Sequence, residues 1–178
     1  MAPVHAPIRP GESTADLCDR LGPLARVCGA PLRAYGGLRQ ACAPVATLRA
    51  QGSADGVRAW LEQPGEGRIL VIDGGGAPEQ ALLGDRLAAL GLANGWRGAI
   101  VHGAVRDVAA LASMDFAVLA LGATPRRAGA GGVGAPGCAL ELAGVRVAPG
   151  DWVCLDRDGV VFVSVPRARG TACSARRP

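Results

Sequence analysis

Three short apolar runs in the middle of the chain, each followed by a segment with helical spacing, set the strongest limit on its fold. Arg68-Ile-Leu-Val-Ile-Asp73, Gly98-Ala-Ile-Val-His102 and Phe116 to Leu121 have the length and composition of buried strands. Residues 79–93, with Leu82, Leu83, Leu87 and Leu90 on one side, predict a helix, and Asp107 to Met114 predicts another. Units of about 30 residues in the order β-α-β-α-β build a parallel sheet. Upstream, Ser13 or Thr14 is placed to cap a helix running through Leu17 to Leu21. Residues 35–52, opening with Tyr35-Gly36-Gly37, read as extended. Ser53 then caps a helix carrying Val57, Trp60 and Leu61, stopped by Pro64-Gly65. Downstream, a Gly-rich loop over 122–137 leads into strands at 139–147, 151–156 and 159–165, joined by Pro149-Gly150 and Asp158-Gly159. The expected class is α/β, with parallel βα units and a β-rich C-terminal half in one domain over 13–166. Residues 1–12, with Pro3, Pro7 and Pro10, read as a flexible arm, and 167–178 as a basic tail.

Composition narrows the chemistry. The 178 residues are 49% hydrophobic and 19% charged, which excludes global disorder. Only 3% are aromatic, so Ala, Val and Leu must supply the core. All 19 basic residues are Arg. Without lysine there is no Schiff-base aldolase, no pyridoxal phosphate enzyme and no P-loop NTPase. The net charge of +4 lies in the two terminal segments, which hold five Arg against one Glu, while residues 13–166 hold 14 Arg and 14 acids. A nucleic-acid reader carries its basic face on the fold itself, so the fold is not expected to bind nucleic acid, and the tail reads as solvated, with contact to RNA or an acidic partner as the alternative. Cys18, Cys28, Cys42, Cys138, Cys154 and Cys173 form no C-x-x-C and no zinc spacing. They read as small buried hydrophobes in a reduced, cytoplasmic protein, with neither a signal peptide nor a membrane span.

Two Gly-rich strings invite a phosphate-binding reading. Gly129-Ala-Gly131-Gly-Val-Gly134 matches G-x-G-x-x-G but follows no strand directly, and Pro136 stands where a helix would have to start. Gly74-Gly75-Gly76 does end a strand and precede a helix, and reads as a tight turn with an anion cradle as the alternative.

Asp85, Arg106 and Asp107 converge on the ends of consecutive strands, where open α/β sheets bind ligands. Each has an ordinary structural role available: Asp85 a solvated helix residue, Arg106 a surface charge, Asp107 a helix N-cap. Together they form D-x20-R-D. The stretch Gly84 to Asp107 resembles the family of the regulator of ribonuclease activity A, which also holds the 4-hydroxy-4-methyl-2-oxoglutarate aldolases. Thr14 to Asp19, Gly67 to Gly76 and Pro149 to Gly159 look like further segments of that family, in order. The likeness covers 13–166. It implies a swivelling β/β/α-type domain assembled as a homotrimer.

The retained Asp85, Arg106 and Asp107 resemble the aldolase branch, whereas the short length and the Gly-Gly-Gly turn look more like the regulator branch. The resemblance implies a lyase that releases pyruvate, with oxaloacetate decarboxylation as a second activity. With no lysine to form an imine, a divalent metal, Mg2+ or Mn2+, is the available electrophile, and one carboxylate suffices to hold it. The resemblance gives that role to Asp107. Arg106 would grip the carboxylate or keto oxygen of a small 2-oxo acid substrate, and Asp85 would position a water for proton transfer. Backbone amides of Gly84, Asp85, Arg86 and Leu87 would complete the carboxylate pocket. The alternative is a non-catalytic regulator that binds and inhibits a ribonuclease or RNA helicase. His102 reads as a packing group, Trp96 and Trp152 as core or subunit contacts. Arg126 and Arg127 read as solvated loop charge, with contact to a dicarboxylate substrate as the alternative.

Overall fold

A computed structural model describes residues 8–165 except 10 and 51. The basic tail and the first seven residues of the expected arm lie outside the described residues. In chain order the elements are α1 (Thr14–Leu21), a 3-10 turn (Gly22–Leu24), β1 (Ala25–Val27), β2 (Arg33–Ala34) and β3 (Ala41–Arg49). Next come α2 (Asp55–Leu61), β4 (Ile69–Asp73), β5 (Ala81–Leu83), α3 (Asp85–Ala93), β6 (Gly98–Val105) and α4 (Val108–Leu111). The rest are β7 (Ala117–Ala123), β8 (Ala135–Pro136), β9 (Leu140–Leu142), β10 (Val145–Val147), β11 (Trp152–Leu155) and β12 (Val160–Val163).

One large mixed sheet runs β1-β12-β11-β3-β4-β6-β7-β2, with β5 beside β6 and β8 beside β3. The β4, β6 and β7 strands are parallel, as the apolar runs predicted, and β3, expected only as extended chain, joins them in parallel beside β4. The long β3 belongs to both halves of the molecule. Its first residues pair antiparallel with β11, and from Val45 onward it pairs in parallel with β4. Both faces of the parallel strands are covered, which is why β4 reads as an unbroken apolar run rather than an alternating one. Leu70 and Ile72 of β4 face a cluster with Val57, Leu61, Trp96 and Phe116 on the helical side. Ile69 and Val71 face Leu140, Val147, Val153 and Phe162 on the other. Each such side chain contributes roughly 1.5–3 kcal/mol by leaving water. Trp96 is core, as expected; its Nε1 donates to the Gln63 carbonyl at 2.9 Å.

Four expectations need correction. The helix of residues 79–93 begins only at Asp85, because Leu82 and Leu83 lie on β5 and are buried there by sheet pairing. The strand expected over 139–147 is a hairpin of β9 and β10, turned at Ala143 and Gly144, both with positive φ. The helix after Asp107 is shorter than expected and ends at Leu111. The cysteines are not all reduced, contrary to what their spacing suggests: Cys42 and Cys154 are direct partners across β3 and β11, with Cα atoms 4.1 Å apart, and form a disulfide.

Ser13 caps α1 as expected, its Oγ accepting from the Asp16 amide at 3.1 Å. Ser53 Oγ accepts from the Asp55 amide at 3.1 Å, at the start of α2. The residues leading into α1 are tied down: Ile8 packs on the α1 cluster and Arg20 Nε donates to Glu12 at 2.6 Å. The first turn of α1 is then bolted to the distant β11–β12 turn. The Thr14 amide and hydroxyl each donate to an Asp156 carboxylate oxygen at 2.7 Å. Burial raises the pKa of that carboxyl, but hydrogen bonds donated by Thr14, Asp158 and Gly159 outweigh it and leave the value lowered. A lowered folded pKa gives stability that is full above the unfolded value of about 3.9 and is lost as pH falls through the folded value. Asp156→Asn is therefore expected to lower stability by about 1–3 kcal/mol at pH 7. The gap to the natural protein should close in urea titrations below the ordinary aspartate range.

Candidate active site

The site arises where β6 changes neighbours. Up to His102, β6 pairs with β4, the last pair being Asp73 with His102. There β4 turns away through Gly74, Gly75 and Gly76. The Gly74 and Gly76 amides both donate to the His102 carbonyl, at 3.0 and 3.1 Å, and the Gly75 amide donates to Asp73 Oδ1 at 2.9 Å. All three amides are committed within the protein, so this is the tight turn and not an anion cradle. The chain then returns as β5, which takes the place of β4 beside Ala104 and Val105. The Arg106 amide donates to the Leu83 carbonyl at 3.0 Å and closes the ladder. Gly84-Asp85 and Arg106-Asp107 thus leave adjacent parallel strands at their carboxyl ends, side by side.

Gly84 makes the close approach possible. A Cβ there would lie 2.6 Å from Asp107 Oδ2, 3.0 Å from Arg106 Cγ and 3.2 Å from Arg106 Nε. The Gly84 backbone is extended, so it is space and not backbone torsion that requires glycine. Asp107 has φ 56 and ψ 40, a left-handed conformation that costs a non-glycine residue about 1–3 kcal/mol. It holds the N-cap position of α4, but its side chain caps nothing; Oδ2 instead meets Arg106 Nε at 3.2 Å. Asp85 opens α3, and its Oδ1 accepts from the Arg86 amide at 2.7 Å. One of the four amides expected to receive a substrate carboxylate is therefore already engaged.

Gly84, Asp85, Arg86, Leu87 and Arg106 all line one small pocket of about 60 Å³. Its floor is β5, and its far wall is Ala54 and Arg58 from the α2 region together with Arg127. Asp107 is not a lining residue; it sits behind Gly84, against Arg106. Four arginines and one aspartate line the pocket, in a domain whose charge is balanced overall. Arg106 and Asp107 are about one-third exposed, within reach of a ligand.

Residues 14–162 match the family model described as RraA-like, Aldolase/RraA. The chain belongs to the RraA-like family. A protein of Alkalilimnicola ehrlichii named "Putative 4-hydroxy-4-methyl-2-oxoglutarate aldolase" is 44% identical over 83% of this chain and 92% of its own. The RNA-processing inhibitor RraA of Thermus thermophilus superposes with a TM-score of 0.83 at 37% identity, over 89% of this chain and 96% of that one. A structure described as an S-adenosylmethionine:2-dimethylmenaquinone methyltransferase from Geobacillus kaustophilus also gives 0.83, at 41% identity over 85% and 94%. These three names assign three different activities to one architecture, so the likeness establishes family and fold and leaves the reaction to the site.

Within this RraA-like domain the residues singled out from sequence meet at Gly84. Arg58 is the functional candidate that sequence reading missed, since an Arg on an amphipathic helix carries no motif. Arg127 lines the pocket while its neighbour Arg126 does not. His102 is set back on β6, with its Nδ1 3.6 Å from Asp73 Oδ1. Among the described residues no group of three His, Cys, Asp or Glu side chains gathers to cage a metal. The donor set fits a hard ion held by one accessible carboxylate and otherwise by water, and does not fit zinc in a closed site. No helix among the described residues is long and apolar enough to cross a membrane. Gly84→Ala should fold, because its backbone is extended, yet push Asp107 and Arg106 out of place. Ligand-dependent activity is expected to fall about 100-fold, with the melting temperature almost unchanged; kcat/KM and thermal denaturation measure the two effects.

Proposed function

We propose that the protein is a metal-dependent class II aldolase that cleaves 4-hydroxy-4-methyl-2-oxoglutarate, or a closely related 4-hydroxy-2-oxo acid, and releases pyruvate. The observation that carries the reading is an arginine-rich pocket lined by Gly84, Asp85 and Arg106, with Asp107 directly behind Gly84 and paired to Arg106. A purely protein-binding surface has no need of a non-glycine residue in a left-handed conformation beside so close an approach to Gly84. The naming of relatives such as that of A. ehrlichii agrees with it.

Asp107 is the residue to hold Mg2+ or Mn2+. When bound, the ion would draw charge from the 2-oxo group, the task that a lysine imine performs in the other aldolase class. Arg106 presents a planar pair of donors to the carboxylate or oxo oxygen of the pyruvyl unit and opposes negative charge growing there. Its pairing with Asp107 fixes where those donors point. The free amides at the start of α3 offer the same carboxylate further donors, since a first helical turn has no internal acceptors for them. Asp85 orders a water that takes the proton from the substrate hydroxyl and returns one to the enolate carbon. The same enolate forms when oxaloacetate loses carbon dioxide, so decarboxylation is the expected second activity.

The working form is proposed to be a homotrimer of swivelling β/β/α-type domains. Val108, next to Asp107, leaves an apolar side chain 39% exposed, as a subunit contact at the site would require. The second reading, a regulator of a ribonuclease or helicase, has the likeness to the T. thermophilus RNA-processing inhibitor in its favour. Pyruvate release separates the two.

Turnover should require divalent metal and cease on exhaustive chelation. It should survive borohydride with substrate present, because the chain has no lysine. Asp107→Ala should abolish metal-dependent turnover. Arg106→Lys should cost about 10²–10³ in rate, because an ammonium does not reproduce the two-donor grip. Asp85→Asn should slow aldol cleavage more than oxaloacetate decarboxylation, which has no hydroxyl to deprotonate. Folded variants with near-normal rates in both reactions would transfer the three residues to a structural role and favour the regulator.

A further inference from the structure

We infer that the Cys42–Cys154 disulfide is an exchange site for a small anionic thiol of the glutathione class, which enters through a groove at Cys42 and is drawn there by Arg97. The groove lies at the amino ends of the parallel strands, opposite the arginine-rich pocket, and does not depend on the aldolase reading.

Three of the five cysteines among the described residues gather on one small apolar cluster. Cys154 belongs to that cluster with Leu17, Leu21 and Val161, while Cys18 of α1 and Cys42 of β3 pack on its rim. Cys154 is only 2% exposed. Cys42 is half-buried and lines a groove of about 360 Å³ with Gly11, Glu12, Gln40, Ala41 and Arg97. That volume is in the range that holds a small organic molecule. The two sulfurs of one bond therefore face different surroundings, and Cys42 is the one open to attack. Cys18 and Cys138 are half-buried too, yet neither lines this groove. Access through the groove, and not exposure alone, sets Cys42 apart.

The groove also has a sign. Glu12 is neutralised by Arg20, whose Nε donates to it at 2.6 Å. Arg97, exposed just before β6, then leaves the groove net positive. Its backbone is fixed, the amide donating to the Arg68 carbonyl at 2.9 Å and the carbonyl accepting from the Ala117 amide at 3.1 Å. Exchange proceeds through the thiolate, and a guanidinium nearby favours both that anion and any carboxylate attached to it.

The incoming thiolate bonds to Cys42 Sγ, the Cys42–Cys154 bond breaks, and Cys154 Sγ leaves with the electron pair and takes up a proton. A second thiolate then attacks the incoming sulfur, which releases Cys42 as a thiol and carries both small thiols away as their own disulfide. Two small thiols are oxidised and one protein disulfide is reduced. In the reverse direction Cys154 expels the small thiol from Cys42. Opening removes a covalent tie between β3 and β11, where the antiparallel and parallel parts of the sheet share a strand.

The test holds the full chain in glutathione redox buffers, alkylates free thiols and maps them by mass spectrometry, with Cys173→Ser throughout because Cys173 lies outside the described residues. Cys42 and Cys154 are expected to open and close together in the folded protein, with the melting temperature about 5–15 °C lower when open. With Cys154→Ser added, oxidised glutathione should place one glutathionyl group on Cys42 and none on Cys18 or Cys138. Arg97→Gln should slow reduction by glutathione about 2–5-fold more than reduction by 2-mercaptoethanol, which carries no carboxylate. That rate comparison needs no Cys154 variant and stands even where the variant does not fold. A bond that opens only in urea, thiols that oxidised glutathione does not close, equal labelling of Cys18 and Cys42, or the same rate change for both reductants would each overturn the site.

Discussion

A single backbone hydrogen bond, from the Arg106 amide to the Leu83 carbonyl, is the contact on which the candidate site depends. It exists because β5 slips into the position that β4 vacates beside β6. Had β4 continued, the neighbour of Arg106 would be a residue of the same strand, facing alternate sides of the sheet. The exchange of strands instead delivers a fresh segment, running from a strand straight into the first turn of α3. That turn brings free amides and Asp85 to the place where β6 ends in Arg106 and Asp107. Gly84 is the hinge of this arrangement, and its missing side chain is the space in which Asp107 and Arg106 rest.

The surrounding sheet explains why such a crowded corner is tolerated. Asp107 adopts a conformation that costs about 1–3 kcal/mol, and Gly84 brings two charged side chains against backbone. Both sit at the rim of strands whose residues are fully buried on two faces, from Ile69 to Ile72 and from Ala99 to Val101. Packing of that kind is stiff, so strain at its edge is held rather than relaxed away. The absence of lysine belongs to the same picture. Every cation the site presents is a guanidinium, permanently charged and planar, which suits carboxylate recognition and excludes covalent imine chemistry.

Much of this was legible in the residues, for identifiable reasons. The strands β4, β6 and β7 announce themselves because burial on both faces demands continuous apolar runs. The Asp85, Arg106 and Asp107 set was legible through its spacing and the segments around it. The β5 strand was not, because Leu82 and Leu83 fall in phase with Leu87 and Leu90, and three residues are too few to show a period of two. The turn at Ala143 and Gly144 lacked the asparagine or aspartate that usually marks such turns, so the hairpin read as one strand. Cys42 and Cys154 stand far apart in the chain and become neighbours only through the β3–β11 register, which no spacing rule encodes. Arg58 is an ordinary helical arginine until the tertiary fold turns it toward a pocket.

The pairing of β1 with β12 has a consequence for how the protein is made. Ala25 lies opposite Val163, and Thr14 is anchored by Asp156, so the earliest elements of the chain find their partners only among the latest. During synthesis α1 and β1 emerge long before β12 and must wait, with apolar surface uncovered, until nearly the whole domain has left the ribosome. Sheets dominated by such distant pairings fold slowly, because chain closure must be completed before the contacts repay it. The parallel centre, whose strands follow one another in quick succession, can assemble in the meantime. The seam between the first and last strands is then the final step, and the place where a nascent chain is most exposed to chaperones and to aggregation.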